Sequence, residues 1–345
     1  MFVRLIRFFL LLIVAAAAFA AWSALTPVQP KEPVTLTFPA GASSVTIAQG
    51  LEQNGVIRNA QSFLLLHLLD RGHRLKAGEY RFEKPASAWM ILRRLTRGDV
   101  VMHSVVIPEG YNTFEIAAAL EKAGLGNASD FLKVFHKDTE LVASLDPAAP
   151  SLEGYLFPDT YSFTRTQKPH EIAAIMVRRF LHEARAIGLE GPAVHKTVTL
   201  ASIVEKESAK SDERAHIAGL YSKRLSQNMP LDADPTVIYA ALLEGRNLDG
   251  AGKKSGEPAE AEKKTTIYRS DLRSSSAYNT YKNAGLPPGP IACPGRASLE
   301  AAMRPEATND LYFVAVGDNS GRHRFSPTYA GQEKNVAAYR RTAKK

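Results

Sequence analysis

A chain of 345 residues, 45% hydrophobic and 23% charged, is long enough for two globular domains and a large core. Its formal charge of +8 is scattered in short doublets such as Lys253-Lys254, which suits a membrane face or an acidic polymer and gives no nucleic-acid footprint. The single cysteine, Cys293, excludes an intrachain disulfide and any site built from several thiolates.

At the N-terminus Arg4 and Arg7 precede an uncharged stretch from Phe8 to Leu25. Eighteen helical residues rise about 27 Å, close to the hydrocarbon thickness of a bilayer. Residues 1–25 therefore read as a transmembrane anchor, with basic residues ahead of it placing the N-terminus in the cytoplasm and the rest of the chain outside. A cleaved signal ending near Ala18 to Ala20, or a buried core helix, are the competing readings. Proline-punctuated residues 26–34 read as a linker.

Beyond it the sequence repeats with an offset of 69 residues. Pro39/Pro108, Gly41/Gly110, Ile47/Ile116, Leu51/Leu120 and Gly55/Gly124 match in register, and after a one-residue slip so do Asn59/Asn127 and Phe63/Phe131. Each copy predicts a strand ending in a Pro-x-Gly turn, a short helix stopped by glycine, and a second helix. Such βαα units, at 35–104 and at 105–150 with a connector, resemble LysM-type modules that bind cell-wall glycans. They would equally serve as spacers, since no matched aromatic platform is evident.

Residues 151–345 open with "LEGYLFPDTYSF" and predict a mainly helical domain with small sheets, in which "LYFVAVG" is a strand and "RHRFSP" its hairpin partner. Residues 249–264, rich in Gly, Lys and Glu without an apolar period, predict a surface insertion. The fold class is α+β.

Among residues able to do chemistry, nine histidines show no His-x-x-x-His pairing, so neither a metal site nor a cofactor is expected. Ser202 and Lys206 share a helix face as a nominal Ser-Lys pair, a spacing any helix offers. In "TLASIVEKESAK" helical phase sets Glu207 inside the stripe of Leu200, Ile203 and Val204 and sets Glu205 on the polar side. A desolvated Glu207 would hold a proton near neutral pH, as a general acid must; the plain alternative is an internal ion pair with Arg214 or Arg224. Downstream, Tyr278, Asn279 and Tyr281 sit in a turn-rich loop whose amide and ring faces could hold a sugar or only pack the loop.

"EGYLFPDTY", "LASIVEKES", "DPTVIYA" and "YNTY…GLPPGPIACPG", in that order behind an anchor and LysM-like units, resemble the YceG-like family of endolytic murein transglycosylases over nearly the whole chain. The stretch "ASIVEKESA" is also similar to the helix of lysozyme-like lytic transglycosylases whose catalytic Glu precedes a Ser, which falls on Glu207. The resemblance implies cleavage of the β-1,4 bond between N-acetylmuramic acid and N-acetylglucosamine in nascent peptidoglycan strands, with 1,6-anhydro ends. Glu207 would act first as acid and then as base, and Asp234, Tyr278, Asn279, Glu153 and Asp159 would bind or orient the glycan, joined by Tyr281 from the reading of the loop. It further implies a bacterial inner-membrane location, a periplasmic catalytic domain and work beside peptidoglycan synthases. The chain departs from the family pattern at Lys223, where asparagine is usual, and at Asp232 and Ala233, where glutamine and threonine are usual. A muramidase-type hydrolase and a non-catalytic wall-binding protein remain the alternative readings.

Overall fold

The computed structural model describes residues 2–208, 210–246, 267 and 270–343. The insertion expected at 249–264 lies outside the described residues. Helices and three two-stranded sheets make the fold α+β, and the chain divides into two compact units. One unit runs to Ser104 and includes 123–125 and 162–168; the other holds the remainder.

The first unit begins with α1 (Phe2–Leu25), a helix long and apolar enough over Arg4–Leu25 to cross a membrane. Then follow β1 (Val34–Phe38), α2 (Ser44–Gln53), α3 (Ala60–Leu69), β2 (Gly78–Phe82) and α4 (Ala88–Arg97). Side-chain caps start the three short helices: Ser43 accepts from the Thr46 amide, Asn59 from Ser62 and Ser87 from Met90. Gly98 ends α4 in the left-handed conformation at φ 81°. β1 and β2 pair antiparallel from Val34↔Phe82 to Phe38↔Gly78, and Leu51, Phe63, Tyr80, Phe82 and Leu92 fill the core beneath them. The stretch expected as a linker is tied down at Val28, which exchanges backbone hydrogen bonds of 2.9 and 3.1 Å with Ala86.

The second copy of the repeat carries the same elements. β3 (His103–Ile107) and α5 (Thr113–Lys122) keep the offset of β1 and α2, and α6 (Ala128–Lys137) keeps the one-residue slip from α3. Each copy is closed by a strand, β2 in the first and β4 (Asp159–Phe163) in the second, so the unit is βααβ.

The larger unit continues with α7 (Pro169–Ile187), α8 (Val194–Glu207), α9 (Arg214–Ser226), α10 (Asp234–Leu243) and α11 (Arg296–Met303). The antiparallel hairpin of β5 (Tyr312–Ala315) and β6 (His323–Ser326) and helix α12 (Tyr329–Thr342) complete it. α8 packs among α9, α10 and α11, and every residue from Val198 to Val204 is buried.

A helix covered on all sides has no solvent stripe, which corrects the expectation for Glu205. Its side chain is only 5% exposed; Arg214 Nη2 donates to it at 2.8 Å and the Gly295 amide at 3.0 Å. Ala201 and Ser202 lie on its side of the helix and are buried because their small side chains let neighbours approach, so the phase of the large apolar residues did not report that face. Lys206 is the exposed residue of the last turn. Ser202 and Lys206 do not pair: Ser202 Oγ donates to Thr199 O and accepts from the Ile291 amide, while Lys206 Nζ donates to Gly110 O.

Candidate active site

Glu207 is the last residue of α8, where the chain leaves the helix through buried Ser208. Its half-buried carboxyl opens into a cavity of about 280 Å³, whose other walls include Tyr221, Asp232, Asp234, Tyr281 and Tyr312. Burial pushes the Glu207 carboxyl up to about 7. The nearby Asp234 charge pushes the same way, and the hydrogen bond that Tyr221 Oη donates to Oε1 at 3.1 Å opposes both. Neither Arg214 nor Arg224 holds it: Arg214 is taken by Glu205, and Arg224 by other partners.

Arg224, on the same helix as Tyr221, fixes the cavity wall. Its Nε donates to Leu311 O at 2.7 Å, and Nη1 donates to Pro230 O, Leu231 O and Asp232 Oδ2 at 2.9, 3.1 and 3.0 Å. The guanidinium also lies 5.2 Å from the centre of the Tyr312 ring. These bonds hold Asp232 at φ 51°, a left-handed conformation that aspartate tolerates better than most residues. Two residues on, Asp234 starts α10 and accepts from Tyr281 Oη at 2.6 Å. The loop bearing Tyr281 is pinned to the same helix start, where Thr280 Oγ1 accepts from the Ala233 amide and meets Thr236 Oγ1 at 2.9 Å.

A proton-holding carboxyl in a cleft lined by tyrosines and carboxylates is what acid catalysis on a polar polymer requires. A family model described as the YceG-like family matches residues 36–338. The chain belongs to the YceG-like family. It is 32% identical over 350 residues to a Bacillus subtilis protein named endolytic murein transglycosylase, covering 95% of this chain and 91% of that one. A Streptococcus pneumoniae protein of the same name is 29% identical over 338 residues, covering 90% of this chain and 59% of its own length. A crystal structure of a yceG-like protein from Listeria monocytogenes aligns with a TM-score of 0.54 at 32% identity, covering 88% of this chain and 99% of that one.

Of the seven site residues expected from the sequence and the YceG-like resemblance, Glu207, Asp234 and Tyr281 share the cavity, and the other four do not line it. Glu153 is 1% exposed, and its Oε2 accepts from the Thr113 amide and hydroxyl at 3.0 and 2.8 Å. Burial pushes it too up to about 7, against the Thr113 bonds. Two carboxyls thus hold protons near neutrality, and access decides between them, since a side chain closed to solvent cannot touch a glycan. Tyr278 packs against Tyr239 at 5.1 Å between ring centres. Asp159 is bound by Arg179 Nε at 2.6 Å, and that bond holds its carboxyl below the usual range.

Asn279 is fully buried: Nδ2 donates to Leu272 O and Ser274 O, and Oδ1 accepts from the Tyr281 amide. Asn279→Ala strands two carbonyls and an amide, so it lowers stability by on the order of 2–3 kcal/mol, read in chemical denaturation.

The cavity also contains Tyr221, Tyr312, Phe313 and Gln332, none of which stood out in the sequence. Tyr312 and Phe313 lie in the stretch expected as a strand, and Tyr221 lies one helical turn before Arg224 on α9. Tyr221→Phe removes the bond that favours the ionised carboxylate. The Glu207 pKa then climbs beyond about 7, and a pH–rate profile shows the alkaline limb of kcat/KM moved to higher pH. Away from the cavity walls, Asp138, Glu140 and His170 have ligand atoms within 4.8 Å of one another, on mostly exposed side chains.

Proposed function

We propose that this chain is an endolytic lytic transglycosylase of peptidoglycan, with Glu207 as its single acid and base. The observation that carries this reading is the proton-holding carboxyl of Glu207 at the wall of an open polar cavity. Neutral Glu207 protonates the glycosidic oxygen between N-acetylmuramic acid and N-acetylglucosamine as the bond to C1 breaks. The carboxylate left behind takes the proton from the muramyl 6-hydroxyl, whose oxygen bonds to C1 and closes a 1,6-anhydro ring. The proton returns to Glu207 and no water is consumed. Tyr221 steadies the carboxylate between the two steps, and Asp234 with Tyr281 holds the glycan beside it.

Asp234 gives specific support to a second reading, a muramidase-type hydrolase, because it places another carboxylate in the cavity. Mass spectrometry of chain ends after digestion of peptidoglycan separates the two. Anhydromuramyl ends support the transglycosylase, reducing ends the hydrolase, and an uncut polymer would defeat both.

The two βααβ copies support a LysM-like role in holding glycan. Arg4 and Arg7 ahead of the apolar span of α1 support a single-pass anchor in the bacterial inner membrane, with the N-terminus in the cytoplasm and the catalytic unit in the periplasm. In that position the enzyme acts on strands as peptidoglycan synthases release them.

A further inference from the structure

Helix α3 is mostly apolar, with Gln61, Ser62 and His67 as its polar residues, although it lies on the surface of its unit. Its inward face is the buried Phe63, but Leu65, Leu68 and Leu69 point outward and are 45, 72 and 71% exposed. A helix bathed in water carries a polar outer face, and beyond Gln61 in its first turn this one presents leucines there.

Its neighbour says what it faces instead. α3 packs beside the C-terminal turns of α1, and the groove between them is walled by Ala17, Ala21 and Leu25 on one side and Leu65, Leu66 and Leu69 on the other. At 1.5 Å per residue, Ala17 lies about 12 Å along the helix from Leu25. With α1 crossing a core about 30 Å thick, that stretch lies in the half of the bilayer nearest the exported domain. A helix that shares this groove with Ala17 cannot then stand clear of the membrane.

The chain leaves no slack to lift it away. Val28 is bonded to Ala86 only three residues past the end of α1, a reach of at most about 10 Å. Arg58 Nη2 donates to Pro27 O at 3.3 Å, and its guanidinium lies 4.7 Å from the centre of the Trp22 ring, which fastens the corner between α1 and α3. Exposed Arg71 and Arg74 follow the last turn of α3, where cations meet lipid phosphates.

We propose that α3 is an interfacial membrane helix, with Leu65, Leu68 and Leu69 in the acyl-chain region beside α1 and Arg71 and Arg74 among the headgroups. The first βααβ unit is thereby seated on the bilayer and not tethered above it. The proposal rests on the anchor reading of α1, and the test keeps the two apart. Leu68→Cys and Val14→Cys, each carrying an environment-sensitive fluorophore, are placed in the full chain in nanodiscs of phosphatidylcholine and phosphatidylglycerol; native Cys293 is fully buried and escapes labelling.

Lipids with nitroxide on the acyl chain quench both probes if α3 is interfacial, and aqueous iodide quenches neither. Quenching of Val14 by lipid and of Leu68 by iodide overturns the proposal and leaves the anchor standing. A Leu68 probe shielded from both quenchers assigns the face to a protein, a second copy included, and also overturns it. A Val14 probe beyond the reach of lipid removes the anchor and the proposal together.

Discussion

Glu207→Gln lowers turnover of peptidoglycan by roughly 10²- to 10⁴-fold, the range over which a positioned acid–base contributes, and leaves the protein folded. The amide keeps the shape of the side chain and can still accept from Tyr221, so the cavity stays built. Wild-type kcat/KM falls as pH rises through about 7, because the acid is then ionised before it meets substrate. Stability checks the same carboxyl independently. Its folded pKa of about 7 lies above the ordinary value of 4.5, so the folded chain binds that proton more tightly than the unfolded chain. The resulting stabilisation is fully present below pH 4.5 and is lost as pH rises through about 7. Glu207→Gln therefore melts with wild type at low pH and above it at pH 8, by on the order of a few kcal/mol. A variant that retains turnover, or one that melts below wild type at pH 8, would remove Glu207 from its role.

Glu205→Ala does the opposite. It leaves the Arg214 guanidinium, 10% exposed, with only Glu109 at 3.6 Å, a carboxylate half open to water. The Gly295 amide loses its acceptor as well, and Arg214 Nε is already buried without a partner among the described residues. Breaking a buried pair from one side costs about 3–5 kcal/mol. For a unit of this size that is a fall in Tm of roughly 6–20 °C. At a temperature where the variant is still folded, its activity per folded molecule stays near wild type, because Glu205 does not line the cavity. Thermal melts beside activity at low temperature separate the two glutamates: loss of the Glu207 carboxylate lowers rate with no loss of stability, and loss of Glu205 lowers stability with no loss of rate. A Glu205→Ala protein with a wild-type melt and no activity would reverse the assignment.

The contrast shows what could be read from residues alone. The βαα order of both copies was legible because Pro-x-Gly turns, capping residues and helix-stopping glycines act locally. The closing strands were not, since "GEYRF" and "DTYSF" are ordinary five-residue segments until β1 and β3 offer them edges. The desolvation of Glu207 was legible because it shares the phase of Leu200, Ile203 and Val204, and Glu205 was misplaced because small residues can be buried without an apolar signature. Asn279 read as a sugar contact, yet in a turn-rich loop an amide finds its own backbone first. Tyr221, Tyr312 and Gln332 come to the same cavity as Glu207 only through the packing of α9, β5 and α12, which no spacing in the sequence announces.

The position of Glu207 on the final turn of α8 has an electrostatic consequence. The carbonyls at the end of a helix present partial negative charge, and Asp234 adds its charge to the same cavity, while Asp232 is paired with Arg224. That field discourages ionisation of Glu207, and it also favours any positive charge that appears nearby. In the proposed reaction such a charge develops on the sugar ring as its bond to the leaving oxygen stretches towards an oxocarbenium-like state. The arrangement that keeps the proton on the acid is thus built to attract the cation its departure creates, so the same negative pole serves both the start of bond cleavage and its summit.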